Sequence, residues 1–145
     1  MNEQLLLQFI VSSLMVVACV AIHGLGLFGL NHAMRTETAV ERLQHITPLS
    51  PRGGLFTLGV VIAMLALHGL EIWLFALVYV ALGAIPQLEP ALYFSTISYS
   101  TVGYNDLHIA ADWRLLGAFE SVLGIFLLGW STAFFIRMIG RIDPH

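Results

Sequence analysis

Residues 91–106 read Ala91-Leu92-Tyr93-Phe94-Ser95-Thr96-Ile97-Ser98-Tyr99-Ser100-Thr101-Val102-Gly103-Tyr104-Asn105-Asp106. The first part, Ala91 to Ser100, is an apolar and hydroxyl-bearing run of roughly ten residues, half of the roughly 20 that a helix needs to cross a bilayer. Long apolar runs flank it, Leu55 to Leu82 before and Trp113 to Ile136 after, and a further one spans Leu5 to Leu30. Each of these three is long enough to cross. A short apolar piece between two spans reads as a re-entrant helix, which dips into the membrane and returns on the same side. Its start is marked by Glu89 as a cap and by Pro90 at the first helical position, where a missing backbone donor costs nothing.

The composition agrees. Of 145 residues, 58% are hydrophobic and 10% charged, less than half the charge of a soluble domain. Mean hydropathy is +0.85. These values exclude a soluble enzyme. The chain has no lysine and a net charge of −3, so it offers no basic stripe for nucleic acid. The single cysteine, Cys19, cannot form an internal disulfide. Val16, Val17, Ala18 and Cys19 look like a lipoprotein cleavage box, but Glu3 and the absence of a basic residue before the run argue for a retained span.

Arginine placement sets the orientation. Arg35, Arg42 and Arg52 fall in the first connection and Arg137 and Arg141 near the C-terminus, leaving Arg114 alone on the other side. The N-terminus therefore faces out, and the first connection and the tail are cytoplasmic. The expected organisation is an N-terminal transmembrane helix over 1–30 and a connector over 31–54. A pore unit over 55–139 follows, with helices 55–82 and 113–139, and then a cytoplasmic tail over 140–145. The connector holds a short interfacial helix, Thr36 to Ile46, with Val40 and Leu43 on one face. The breakers Pro48, Pro51, Gly53 and Gly54 close it.

The stretch Ser100-Thr101-Val102-Gly103-Tyr104-Asn105-Asp106, entered from a short capped helix, resembles the selectivity filter of tetrameric potassium channels. The resemblance covers Leu55 to about Ile139, the two-helix pore module, and leaves the first helix unexplained. It implies a pore helix over 91–100, a filter over 101–105 and a C4 homotetramer in which each chain supplies one strand. The chemistry has its own logic. A dehydrated cation must be given oxygen ligands, and consecutive carbonyls face one axis only when left- and right-handed backbone alternate, a role expected of Gly103. Thr101 adds a hydroxyl at the inner end, Val102 continues the strand and Tyr104 packs outward as a spacer. The pore helix aims its C-terminal partial negative charge, about half an elementary charge, at the membrane centre. Two positions depart from the family pattern. Asn105 replaces the second filter glycine, and Ile97 stands where some members carry a glutamate. By the same alignment Tyr93 is placed to brace Asp106.

Charged groups in a span cost about 2.5 to 3.5 kcal/mol each, so Glu71 and Glu120 should face the protein. Counting from the outer ends puts Glu120 about 10 Å deep and Glu71 about 16 Å deep, behind the expected filter. There they can bond the pore-helix hydroxyls Ser95, Ser98 or Tyr99 and substitute for the glutamate that Ile97 replaces. His68 lies one turn from Glu71 on the same face. His23 in the first helix raises a rival reading, a haem or metal-binding membrane protein using His23 and His68. The count of about 27 Å for His23 against about 21 Å for His68 separates them and argues for structural histidines. Gly124 and Gly129 are candidate hinges, with close packing the equal alternative, and Phe134 and Phe135 a candidate hydrophobic constriction.

The expectation is an all-α membrane protein, with three transmembrane helices, one re-entrant pore helix and a selectivity-filter loop. It is a homotetramer in the inner (plasma) membrane that conducts K+, with no cofactor and no partner beyond its own copies and the lipid. A weakly selective sodium/potassium channel is the alternative, motivated by Asn105.

Overall fold

A computed structural model describes residues 3–35, 50–103 and 109–142. Four α-helices follow in order: α1, Glu3–Ala33; α2, Pro51–Ala81; α3, Leu88–Tyr99; and α4, Arg114–Ile142, entered through a 3-10 turn at Ala111–Trp113. Among the described residues there is no strand. Three helices, α1, α2 and α4 with its 3-10 entry turn, are long and apolar enough to cross a membrane. The expected connector helix over 36–46, with Pro48, and the positions Tyr104, Asn105 and Asp106 lie outside the described residues.

The helix ends differ from the sequence expectation for local reasons. Ser50 caps α2, its Oγ accepting a hydrogen bond from the Gly53 amide at 3.1 Å, and Pro51 occupies the first helical position. Pro51, Gly53 and Gly54 therefore begin the helix rather than break the chain. Likewise α3 starts at Leu88, not Ala91, and its N-cap is Gln87, not Glu89. Pro90 is its third residue, a position with no intrahelical bond to lose. At the far end of α2, Gly83 takes a left-handed φ of 66°. The amides of Ala84 and Ile85 both donate to the Tyr79 carbonyl. This reverses the chain and sends it into α3. At Ala110 the chain is tied back to the same turn, its amide donating to the Ala84 carbonyl at 2.9 Å.

The short helix packs between α2 and α4. The main core lies around it, built from Phe75, Tyr79, Phe94, Tyr99, Leu116 and Leu127, with Cys19 of α1 fully buried among them. A second, smaller cluster of Met34, Val60 and Met138 closes the end away from α3. The outer faces carry large apolar side chains, among them Leu25, Leu55 and Phe126, as lipid or a further protein surface requires.

Candidate functional site

Helix α3 is held by two buried carboxyl groups, one on each neighbouring long helix. On α2, His68, Glu71, Phe75 and Tyr79 form one buried face at helical spacing. On α4, Glu120, Leu123, Leu127 and Ser131 do the same. Glu71 and Glu120 are fully inaccessible to solvent.

Glu71 is surrounded from three helices. Its Oε1 lies 2.9 Å from Nδ1 of His23, on α1. The Tyr99 hydroxyl, at the end of α3, donates to its Oε2. His68 Nδ1 lies 2.8 Å from that hydroxyl and 3.5 Å from Glu71 Oε2. On the far side of the His23 ring, Nε2 lies 3.1 Å from Ser131 Oγ of α4. Hydrogens assigned to Nδ1 of both rings satisfy every pair: His68 donates to Tyr99, Tyr99 and His23 donate to Glu71, and Ser131 donates to His23.

Glu120 has hydroxyl partners. The Tyr79 hydroxyl donates to Oε2 at 2.5 Å, and Ser95 Oγ lies 2.5 Å from Oε1. Ser95 Oγ is also 2.9 Å from the Ile72 carbonyl. A serine hydroxyl has one hydrogen, so when it is given to Ile72 the second bond needs a hydrogen from position 120.

Of the expected hydroxyl partners, Ser95 and Tyr99 meet the carboxyls and Ser98 does not. Ser98 Oγ is buried with no partner among the described residues. Tyr79 and Ser131 were not anticipated. Their signal was in the spacing: each continues the three-four-four pattern that starts from His68 on α2 or Glu120 on α4. The separation of His23 from His68 is also corrected, because their ring centroids are 5.1 Å apart. The depth count took the start of the apolar run as the outer edge. Gln8, however, accepts a hydrogen bond from the Leu115 amide at 3.2 Å, so the first turn of α1 stands beyond the first turn of α4. Counted from Gln8, His23 is about 22 Å in, level with His68.

His23, His68 and Glu71 offer ligand atoms within 4.8 Å of one another, a donor set a transition metal accepts. Both Nδ1 atoms and both carboxyl oxygens are already engaged by the hydrogen bonds above.

Beyond α3 the backbone bends sharply. Thr101 has φ 59°, the left-handed residue of this stretch, and its amide donates to the Ser98 carbonyl at 3.1 Å. Gly103, expected to carry the left-handed conformation, does not. Handedness here follows the hydrogen bond that ends the helix, two residues earlier than the glycine. Val102 is 80% exposed and Tyr93 61% exposed on the single chain. Gly124 lies against the end of α3, where a Cβ would meet the Tyr99 carbonyl oxygen at 2.0 Å. Close packing is therefore its role in this structure. Gly129 has no such neighbour. Phe134 and Phe135 pack against the small cluster of Met34, Val60 and Met138.

A family model described as an ion channel matches residues 67–141, more than half of the chain. The chain belongs to this ion-channel family, whose unit is a two-helix pore module of the potassium-channel kind. With three helices able to cross a membrane, it is a multi-pass membrane protein. No curated protein and no solved structure matches it.

Proposed function

We propose that four copies of the chain form a potassium-conducting channel, with α3 as a re-entrant pore helix and Thr101-Val102-Gly103-Tyr104-Asn105 as one strand of the filter. The observation that carries this reading is the left-handed turn at Thr101, directly after a short helix braced by carboxyls on both neighbouring spans. Such a turn ends the helix and sends the chain out of it in a new direction, where the strand follows. The exposed Val102 on an isolated chain fits a strand completed by other copies.

Ions enter from the outside, shed water and are held by carbonyls and by the Thr101 hydroxyl. The C-terminal end of α3 contributes its partial negative charge. No bond is broken, and no cofactor is needed beyond permeant K+. The N-terminus faces out and the C-terminus lies in the cytoplasm of a cell whose plasma membrane holds the channel. Tyr93 braces Asp106 from the outer part of α3. Phe134 and Phe135 narrow the cytoplasmic end, and Gly129 gives α4 its freedom to bend. Glu71, Glu120 and His68 support the filter from behind.

Asn105 favours a second, graded reading within the class. Asparagine reaches left-handed backbone at more cost than glycine, and its side chain must be housed at a four-fold mouth. The outermost site is then looser than the inner ones. The test is the reversal potential of the purified protein in planar bilayers under a potassium-to-sodium gradient. Potassium should be preferred, and Asn105→Gly should raise the preference. An absence of ion flux would remove the channel reading for this chain, and a fall in preference with Asn105→Gly would overturn the account of the mouth.

A further inference from the structure

Helix α1 lies outside the matched module, yet the side it buries is not that of a passive lipid anchor. Its buried residues are Gln8, Ser12, Met15, Cys19, His23 and Leu27, a stripe at helical spacing of which half, Gln8, Ser12 and His23, is polar. In a bilayer, lipid tails compete on equal terms for apolar side chains, so polar contacts decide how such a helix docks. Two anchors result. Near the outer end, the Gln4 amide donates to the Asp112 carbonyl at 3.1 Å, and Gln8 accepts from the Leu115 amide at 3.2 Å. This satisfies a free N–H at the start of α4 and does no more than dock the helix. The inner anchor is His23, and it reaches further.

We propose that His23 is a positioning residue of the filter, through which α1 sets ion discrimination. This rests on the reading of residues 101–105 as the filter. A carboxyl group is planar, so holding Oε1 of Glu71 against His23 at 2.9 Å also fixes where Oε2 points. That second oxygen receives the Tyr99 hydroxyl. Tyr99 is clamped at its other end as well, its carbonyl pressed against the bare backbone of Gly124. Two residues later comes Thr101, where the backbone turns left-handed. His23 is itself held on its far side by Ser131 Oγ at 3.1 Å and by the Trp130 ring, whose centroid is 5.5 Å away. The line of contact therefore runs from α4 and α1, through α2, to the last residue of the pore helix. Without His23, Oε1 of Glu71 loses its donor, and the carboxyl that receives Tyr99 is held at Oε2 alone.

The geometry of the ring supplies a discriminating test. The amide nitrogen of asparagine occupies the place of Nδ1 and can still donate to Glu71. That of glutamine extends to the place of Nε2 and serves Ser131 instead. Full-length wild type, His23→Asn, His23→Gln and His23→Leu are compared by reversal potential in planar bilayers under a potassium-to-sodium gradient. His23→Leu and His23→Gln should lower the potassium-to-sodium permeability ratio about fivefold, the effect of losing one hydrogen bond, with His23→Asn within about twofold of wild type. Tyr99→Phe should lower the ratio similarly, and adding His23→Leu to it should change nothing further. A wild-type ratio in both His23→Leu and His23→Gln overturns the proposal, as does an equal fall in all three variants. If His23→Leu does not assemble, the contrast between asparagine and glutamine decides. A wild-type protein that passes ions without preferring potassium overturns the filter reading, and this inference with it.

Discussion

Glu71 and Glu120 are both fully buried in long apolar helices, and both face α3, yet they are answered by different chemistry. Around Glu71 stand two imidazoles and a phenol; around Glu120 stand a phenol and a serine hydroxyl. A carboxylate at 71 can accept at both oxygens, from the His23 ring N–H at one and the Tyr99 hydroxyl at the other. Position 120 has neutral partners, and one of them needs a hydrogen in return. The two nodes also differ in reach. Glu120 joins α4 to α2 and α3, all within the matched module. Glu71 joins α2 to α3 and, through His23 and Ser131, to α1 and α4. The burial cost common to both is thus met once inside the pore unit and once by a helix added outside it.

Removing the carboxyl should separate the two nodes. Glu71→Ala leaves the His23 and Tyr99 donors turned toward a vacated acceptor at a site closed to water. The expected loss is about 2–6 kcal/mol, since the His23 and Tyr99 donors are each stranded at about 1–3 kcal/mol. Thermal unfolding of the protein in mild detergent, followed by far-ultraviolet circular dichroism, should show the larger fall for this variant. The comparison breaks if Glu120→Ala lowers the midpoint as much.

For Glu120→Ala a loss of about 1–3 kcal/mol is expected, that of stranding buried hydroxyls. It is the milder change because Ser95 keeps the Ile72 carbonyl, 2.9 Å away, and still donates to it. The same unfolding measurement ranks the two variants directly. A midpoint unchanged from wild type would mean that the contacts of Glu120 contribute nothing net.

Much of this arrangement is legible in the sequence. The spans follow from uninterrupted apolar runs, and the two glutamates stood out because lipid makes them expensive. The sequence offers Ser95, Ser98 and Tyr99 as their partners on α3, and the choice among the three depends on helix rotation. Rotation in turn depended on where α3 starts, and Pro90 allowed more than one answer. The His23–His68 contact was hidden by an arithmetical origin: apolar run length locates a helix in the membrane but not against its neighbours. The hydrogen bond from Gln8 to the start of α4 supplies that register. At Thr101 the handedness follows from how the helix ends, through the amide bond to Ser98, a feature that residue type alone points away from.

The finest difference between the nodes concerns a single hydrogen, and Glu120→Gln isolates it. Glutamine keeps the length and the planar head of glutamate while replacing one oxygen with an amide nitrogen. Turned toward Ser95, that nitrogen supplies the hydrogen the serine lacks once its own goes to the Ile72 carbonyl. The remaining carbonyl oxygen then accepts from Tyr79, which lies 2.5 Å from the oxygen it replaces. Every pair around position 120 survives, so the unfolding midpoint should move by less than about 1 kcal/mol in equivalent stability. The permeability ratio should stay at the wild-type value. Asparagine, one methylene shorter, cannot span both partners, and Glu120→Asn should fall toward the alanine variant. If Glu120→Gln instead behaves like Glu120→Ala, position 120 needs a carboxylate that accepts at both oxygens. The contrast with Glu71 then reduces to which helices each node joins.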